Sequence, residues 1–324
     1  MSHRVLIVGL GQIGLGYDLE LDPELVYSHS RAFSQHPAFD LIGGVDNSEQ
    51  QRALLTQYYG CAAYADLGSA LAQPAVDVLV IAAPTALHGT ILQQALALSQ
   101  PRLVLCEKPL SYEIGEARSM VRACQERGVA LYVNYIRRSD AAVIEVRRRL
   151  DMGLIAGPVK GVCWYSKGFK HNGSHFFNVL EYWLGPMRSA HLIEPGRLWD
   201  GGDPEPDVQV SFRDGQVVFL AAREESFSHY TVELVATNGR LRYEQGGQRV
   251  EWQAAGAGAI KGYRVLGSDV ETLATGMSRY QWHVAEQIAA VLAGPGEHPL
   301  CSGAQALTTL ESLHAILDLR GTSE

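Results

Sequence analysis

Apolar residues in the first 130 positions fall into short continuous runs, separated by stretches in which they recur at helical spacing. The runs predict strands over residues 4–8, 39–45, 76–81, 102–106 and 129–133. Helices are predicted around residues 48–59, 86–98 and 113–126, the last stopped by Gly128. Strands this uniformly apolar are buried on both faces, which requires a parallel sheet covered by helices. Right-handed crossovers then give a doubly wound α/β fold of Rossmann type over residues 1–130.

The pattern changes after that point. Alternating runs at 208–212 and 216–220 flank Asp214-Gly215, a hairpin signal. Further strands are predicted at 231–235, 240–243 and 249–252, punctuated by Asn238-Gly239 and Gly246-Gly247. Helices follow at 280–292 and 303–317, the second carrying a core stripe of Leu307, Leu310, Leu313 and Leu317. Residues 131–324 therefore predict an α+β domain with a largely antiparallel sheet. The Gly-, Pro- and Asp-rich stretch 195–206 reads as a surface loop.

Composition narrows the function classes. A chain of 324 residues, 47% hydrophobic, has room for two cores. Its net charge of -8 argues against nucleic acid or an anionic membrane as partner. The basic run Arg147-Arg148-Arg149 reads as the solvated face of a helix. The five cysteines, Cys61, Cys106, Cys124, Cys163 and Cys301, are scattered and form no CxxC pair, which fits a reducing compartment and gives no zinc site. The first apolar run, residues 5–8, is too short for a signal peptide. No run approaches the roughly 18 apolar residues of a membrane span. The expected location is the cytoplasm.

The chemistry begins at Gly9-Leu10-Gly11-Gln12-Ile13-Gly14, directly after the first strand. In that context GxGxxG is a dinucleotide loop. Gly9 permits the tight turn, Gly11 lets the backbone approach a pyrophosphate, and Gly14 allows close packing. Asp46 ends the second strand, where a carboxylate accepts from ribose hydroxyls and repels a 2′-phosphate. No Arg or Lys follows until Arg52, so NAD is expected over NADP. The Gly14-to-Asp46 spacing exceeds the usual ~20 residues. The excess is assigned to an insertion at residues 15–28, read either as a cover over the cofactor or as a plain surface loop.

Three further motifs carry a resemblance. Glu107-Lys108-Pro109 follows the strand at 102–106, Ala83-Pro84-Thr85 with His88 follows the strand at 76–81, and Asn134-Tyr135-Ile136-Arg137-Arg138 follows the strand at 129–133. In this order, with Ser302-Gly303 before the leucine helix, they resemble the glucose–fructose oxidoreductase / inositol dehydrogenase / MocA family over nearly the whole chain. The resemblance implies an open C-terminal sheet whose exposed face joins subunits into a homodimer or homotetramer. It implies an NAD(P)-dependent oxidoreductase acting on a sugar, sugar acid, sugar nucleotide or polyol. It also implies cofactor contacts from Gly9, Gly11, Gln12, Ile13, Gly14, Asp46, Ala83, Pro84, Thr85, His88, Glu107 and Lys108.

Ketone–alcohol interconversion needs a hydride carrier, a group that exchanges the hydroxyl proton, and a donor that polarises the oxygen. Lys108 is the first candidate, placed at the carboxyl end of a parallel strand. His175 is the second: the segment from His171 to Asn178 resembles the family's Asp-x-Gly-x-His-x-x-Asp, with His175 in the histidine's place. A helix-capping role for His175 is the competing reading. Arg137, His171, Asn172 and Asn178 join Lys108 and His175 as expected substrate contacts. The segment departs from the family where His171 and Asn178 replace carboxylates. Those losses motivate two alternatives: a non-catalytic NAD or sugar sensor, and an enzyme that retains NAD for redox-neutral chemistry. A metal held by His171 and His175 is not expected, because no HExxH glutamate accompanies them.

Overall fold

The computed structural model describes residues 2–72, 75–223, 227–294 and 296–322. The chain divides into two compact units, Met1–Ser139 with Ser278–Leu307, and Asp140–Met277 with Thr308–Glu324.

The first unit is the doubly wound fold read from the pattern. Its strands are β1 (His3–Val8), β2 (Phe39–Val45), β3 (Ala62–Tyr64), β4 (Val78–Ile81), β5 (Leu103–Cys106) and β6 (Ala130–Val133). They pair in parallel in the order β6-β5-β4-β1-β2-β3. Every residue of β4 and β5 is buried, as strands covered on both faces must be. The covering helices are α1 (His29–Gln35), α2 (Glu49–Tyr59), α3 (Leu67–Leu71), α4 (His88–Leu98) and α5 (Ile114–Glu126). Ser48 and Asp66 cap α2 and α3 by accepting backbone N–H groups, and Gly60 and Gly128 take left-handed conformations just beyond helix ends.

The second unit begins with α6 (Ala141–Asp151) and β7 (Val159–Tyr165), followed by α7 (Ser174–Leu184). Its remaining strands are β8 (Met187–Glu194), β9 (Leu198–Trp199), β10 (Asp203–Pro204), β11 (Asp207–Phe212), β12 (Gly215–Ala221), β13 (Thr231–Ala236), β14 (Gly239–Glu244), β15 (Arg249–Ala257), β16 (Arg264–Leu266) and β17 (Glu271–Leu273). The main sheet runs β16-β15-β14-β13-β7-β12-β11-β8, with β17 also on β15. All pairs are antiparallel except β7 with β12. The hairpin predicted at Asp214-Gly215 forms, with Val210 opposite Val217, and a second turns at Asn238-Gly239, with Ala236 opposite Gly239. One sheet face packs Cys163, Val217, Phe219 and Leu234 against Val143, Phe176, Phe177 and Trp183 of α6 and α7. The alternate positions Trp164 and Val235 are 39% and 52% exposed.

Two helices remain. The first, α8 (Tyr280–Ala293), belongs to the first unit. The second, α9 (Gly303–Asp318), follows the short strand β18 (Cys301–Ser302), which adds antiparallel to β6. The arginine run on α6 forms ion pairs, Arg148 and Arg149 each 2.7 Å from Glu145, as a solvated helix face would. Arg147 also donates to the carbonyls of Tyr182 and Trp183, which satisfies the last turn of α7. The 195–206 stretch departs from the surface-loop reading, because β9 and β10 pair within it.

Candidate cofactor and catalytic site

Five parallel strands end in one row. Val45, Val8, Ile81, Cys106 and Val133 are successive register partners across β2, β1, β4, β5 and β6. The next residue on each strand is Asp46, Gly9, Ala82, Glu107 and Asn134. Backbone bonds continue the row one step beyond the sheet. Gly9 N–H donates to Val45 O, Ala82 to Val8, Glu107 to Ile81 and Asn134 to Cys106, at 2.7–2.8 Å. Ordinary β pairing therefore brings residues from five distant parts of the chain to the carboxyl edge, where ligands bind in such sheets.

The glycine loop fits a dinucleotide by steric test. A Cβ on Gly9 would meet the Ala82–Ala83 peptide at 2.6 Å, and one on Gly14 would strike Gly9 O. A Cβ on Gly11 would meet nothing within 4 Å. Gly9 and Gly14 are thus constrained by the protein's own backbone, while Gly11 and Gln12 face open space with Ile13 half-buried beside them. Asp46 anchors the far end. Its Oδ2 accepts Leu10 N–H and its Oδ1 accepts Ser48 N–H, both at 2.8 Å. Each oxygen keeps a second acceptor site for a ribose hydroxyl. Arg52 turns back to donate to the carbonyls of Asp46 and Asn47.

The long spacing before Asp46 has a specific cause. Leu15 and Gly16 N–H donate to Gly11 O, starting a helical turn, and the chain then leaves the axis. It returns at His29, whose N–H donates to Ile13 O at 2.9 Å, and Ser30, whose N–H donates to Gly14 O at 3.0 Å. In an uninterrupted helix those donors would be residues 17 and 18. Residues 17–28 are therefore a 12-residue excursion, and removing them brings the Gly14-to-Asp46 spacing from 32 to 20. Asp18, wholly buried, accepts the N–H groups of Tyr27 and Ser28 and the Ser28 hydroxyl at 2.6–2.7 Å. Arg31 lies 3.6 Å from Asp18 and donates to the carbonyls of Leu21, Asp22 and Leu25, and to that of Asp18 itself. The excursion also docks on α8: Val26 N–H donates to Ser278 O, Gln281 N–H donates to Val26 O, and Tyr27 stacks on Tyr280.

The carboxyl end of β5 carries a cluster of polar contacts. Glu107 Oε1 lies 2.8 Å from His29 Nε2 and accepts Asn134 Nδ2 at 2.6 Å. Asn134 Nδ2 also reaches Gln281 Oε1 at 3.3 Å. Burial works to raise the Glu107 carboxyl, but the His29 and Asn134 hydrogen bonds and the Lys108 charge outweigh it and hold the group below its ordinary range. Lys108 follows, half-buried, with its N–H 3.3 Å from Glu107 Oε2. His88 is fully buried, with its ring nitrogens 2.9 Å from Ala83 O and 3.2 Å from Leu110 O. It ties the half-buried Ala83 and Thr85 and the exposed Pro84 to the segment after Lys108. Arg137 is half-buried in the turn after Asn134, whereas Arg138 is spent on Pro299 O and Gln305.

In the second unit, His175 lies in the first turn of α7 and is 7% exposed. The turn before it, Gly168–Gly173, is held by carboxylates from the 195–206 stretch. Asp203 accepts the N–H groups of Lys170 and His171 at 3.0 and 2.7 Å, and Glu205 accepts that of Gly168 at 3.1 Å. Trp199 stacks on His171 with ring centres 5.2 Å apart. Asn172 donates to the Tyr230 hydroxyl. Asn178 is 1% exposed and donates to Thr309 Oγ1 at 3.0 Å. Asp203 and Glu205 thus set two carboxylates against the backbone of the segment that leads into His175. Burial raises the Asp203 carboxyl, opposed by the Lys170 and His171 N–H groups.

Sequence reasoning missed His29, Gln281, Asp203 and Glu205. His29 had a readable signal, since excising 12 residues restores both the helix and the Gly14-to-Asp46 spacing. Gln281 reaches Asn134 within the first unit, and Asp203 and Glu205 reach the turn before α7 within the second, by long-range folding that left no local trace.

Residues 3–135 match a family model described as the GFO_IDH_MocA oxidoreductase family with an NAD-binding Rossmann fold. The chain is 29% identical over 290 residues to an inositol 2-dehydrogenase of Mycolicibacterium smegmatis, covering 85% of this chain and 74% of that protein. It is 26% identical over 269 residues to a scyllo-inositol 2-dehydrogenase (NAD(+)) of Bacillus subtilis, covering 74% of each. Among solved structures, the WlbA dehydrogenase from Bordetella pertussis in complex with NADH and UDP-GlcNAcA shares the fold, with a TM-score of 0.76 at 18% identity over 100% of this chain and 97% of that one.

Proposed function

We propose that the chain, whose residues 3–135 match the GFO_IDH_MocA oxidoreductase model and which is similar to inositol 2-dehydrogenases, is a member of that family and an NAD-dependent dehydrogenase acting on a CH–OH carbon of a polyol or sugar derivative. The observation that carries the reading is the row of strand ends, which sets Gly9, Asp46, Ala82, Glu107 and Asn134 side by side with Lys108 next in the chain. The named substrates of the inositol dehydrogenase relatives support the polyol class.

Bound nicotinamide would supply the hydride acceptor or donor. Gly9, Gly11, Gln12, Ile13 and Gly14 would hold the pyrophosphate, and Asp46 the adenosine ribose. Ala83, Pro84, Thr85 and Glu107 would line the cofactor's path, with His88 holding that path from behind. Lys108 would donate to the reacting oxygen, and His175 would take up or return its proton. Arg137, His171, Asn172 and Asn178 complete the proposed substrate set, Asn178 from its buried place beside Thr309. The exposed sheet face with Trp164 and Val235 is the surface proposed for self-association.

The test is NADH formation on a panel of inositols, sugar acids and nucleotide sugars. Substrate-dependent NADH supports the reading. Tight NADH binding with no turnover on any of them points to a sensor. Product without net NADH points to redox-neutral chemistry.

A further inference from the structure

His29 lies at the end of the excursion, yet it sits where the third residue after Gly14 would stand in an unbroken helix. It is 1% exposed, and its Nε2 is 2.8 Å from Glu107 Oε1. Glu107 is the residue before Lys108, and their peptide is tied to the same carboxylate through Lys108 N–H. The excursion is braced from both ends, by Asp18 with Arg31 and by the docking of Val26 and Tyr27 on α8. The imidazole is therefore held at the end of a braced segment and contacts the strand end that carries the proposed chemistry.

We infer that His29 is a positioning residue, which fixes the ionised Glu107 carboxylate and through it the backbone and charge beside Lys108. The inference rests on the dehydrogenase reading for its kinetic part only. A carboxylate oxygen shared by two donors cannot rotate without breaking both bonds. Groups from several elements face Glu107. His29 comes from α1, Lys108 and the Cys106 thiol from its own strand, Asn134 from the end of β6, and Tyr280 and Gln281 from α8. Of these, His29 and Lys108 alone can contribute positive charge. Burial and the charges of Tyr17, Glu107 and Asp18 push the Tyr280 phenol up, so it stays neutral and adds no competing anion. Removing His29 leaves Asn134 as the side chain hydrogen-bonded to Oε1.

The experiment compares His29→Leu with His29→Gln, whose amide reaches about as far as the imidazole Nε2 but carries no charge. The first readout is the carboxyl 13C titration of Glu107 in the cofactor-free protein, assigned with Glu107→Gln. His29→Leu is expected to move the midpoint up by about one pH unit. The second readout is the pH profile of turnover. Its acid limb is expected to move up with the carboxyl, with turnover about tenfold lower and the substrate KM nearly unchanged. His29→Gln is expected to restore part of the midpoint shift and most of the turnover. The inference is overturned if the leucine variant titrates and turns over as wild type does. Equal loss in both variants without a moved midpoint would overturn it too, since that is a packing defect. If wild type forms no NADH with any polyol, the dehydrogenase reading falls, and the carboxyl titration still decides what His29 does.

Discussion

Asp46 Oδ2 accepts the backbone N–H of Leu10 at 2.8 Å, so the acidic end of the second strand is fastened to the glycine loop. The carboxylate thus orders the loop, and the task proposed for its remaining acceptor sites is the preference for an unphosphorylated ribose. Asp46→Asn keeps an acceptor for Leu10 and drops the charge, whereas Asp46→Ala leaves that N–H without its partner. Charged hydrogen bonds contribute about 1.5–3 kcal/mol. Fluorescence titration should show NAD affinity falling about tenfold or more in the alanine variant and less in asparagine. Both should narrow the gap between NAD and NADP. An unchanged preference in Asp46→Asn would show that charge at this position does not select the cofactor.

The glycine loop offers a contrast between two neighbours. Gly11→Ala places its methyl in open space, so thermal unfolding should match wild type while NAD affinity drops. Gly14→Ala drives a methyl into Gly9 O and should unfold more readily with or without cofactor. A Gly11→Ala protein that bound NAD as wild type would remove that residue from the pyrophosphate site.

Asp18 and Arg31 form a buried pair, at 0% and 8% exposure. Removing one partner of such a pair costs about 3–5 kcal/mol, because the other charge stays buried. Asp18→Asn and Arg31→Met should each lower the denaturant midpoint of the first unit. The double variant should lose less than the sum of the two, which a double-mutant cycle measures. Additive losses would mean that the two residues brace the excursion independently.

Lys108 and His175 are assigned transition-state roles. Lys108→Ala and His175→Ala should each lower turnover about 10²–10⁴-fold. NADH affinity should stay within a few-fold of wild type. Steady-state kinetics checks this, and full rates in both variants would sink the assignment of roles.

Much of the first unit was legible because its signals are local. A fully buried parallel strand must be apolar throughout, so β4 and β5 announced themselves. A glycine that must approach backbone cannot be replaced, so Gly9 and Gly14 stood out. The short strands β3, β9 and β18 carry too few residues for any period to show. The parallel pairing of β7 with β12 joins segments separated by a helix and four strands, so no turn signal announces it.

The sequence by itself determined the strand–helix alternation, the glycine loop and the acidic end of β2, and it supplied Lys108 and His175 as candidates, because each rests on neighbours within a few positions. Tertiary structure alone decided which distant groups meet. It turned the unexplained length after Gly14 into a braced strut, brought His29 and Asn134 onto one oxygen of Glu107, and set Asp203 beneath His171. Those contacts depend on strand register and on where an interrupted helix resumes. Both are fixed by packing across the whole sheet, and no short stretch of sequence contains them.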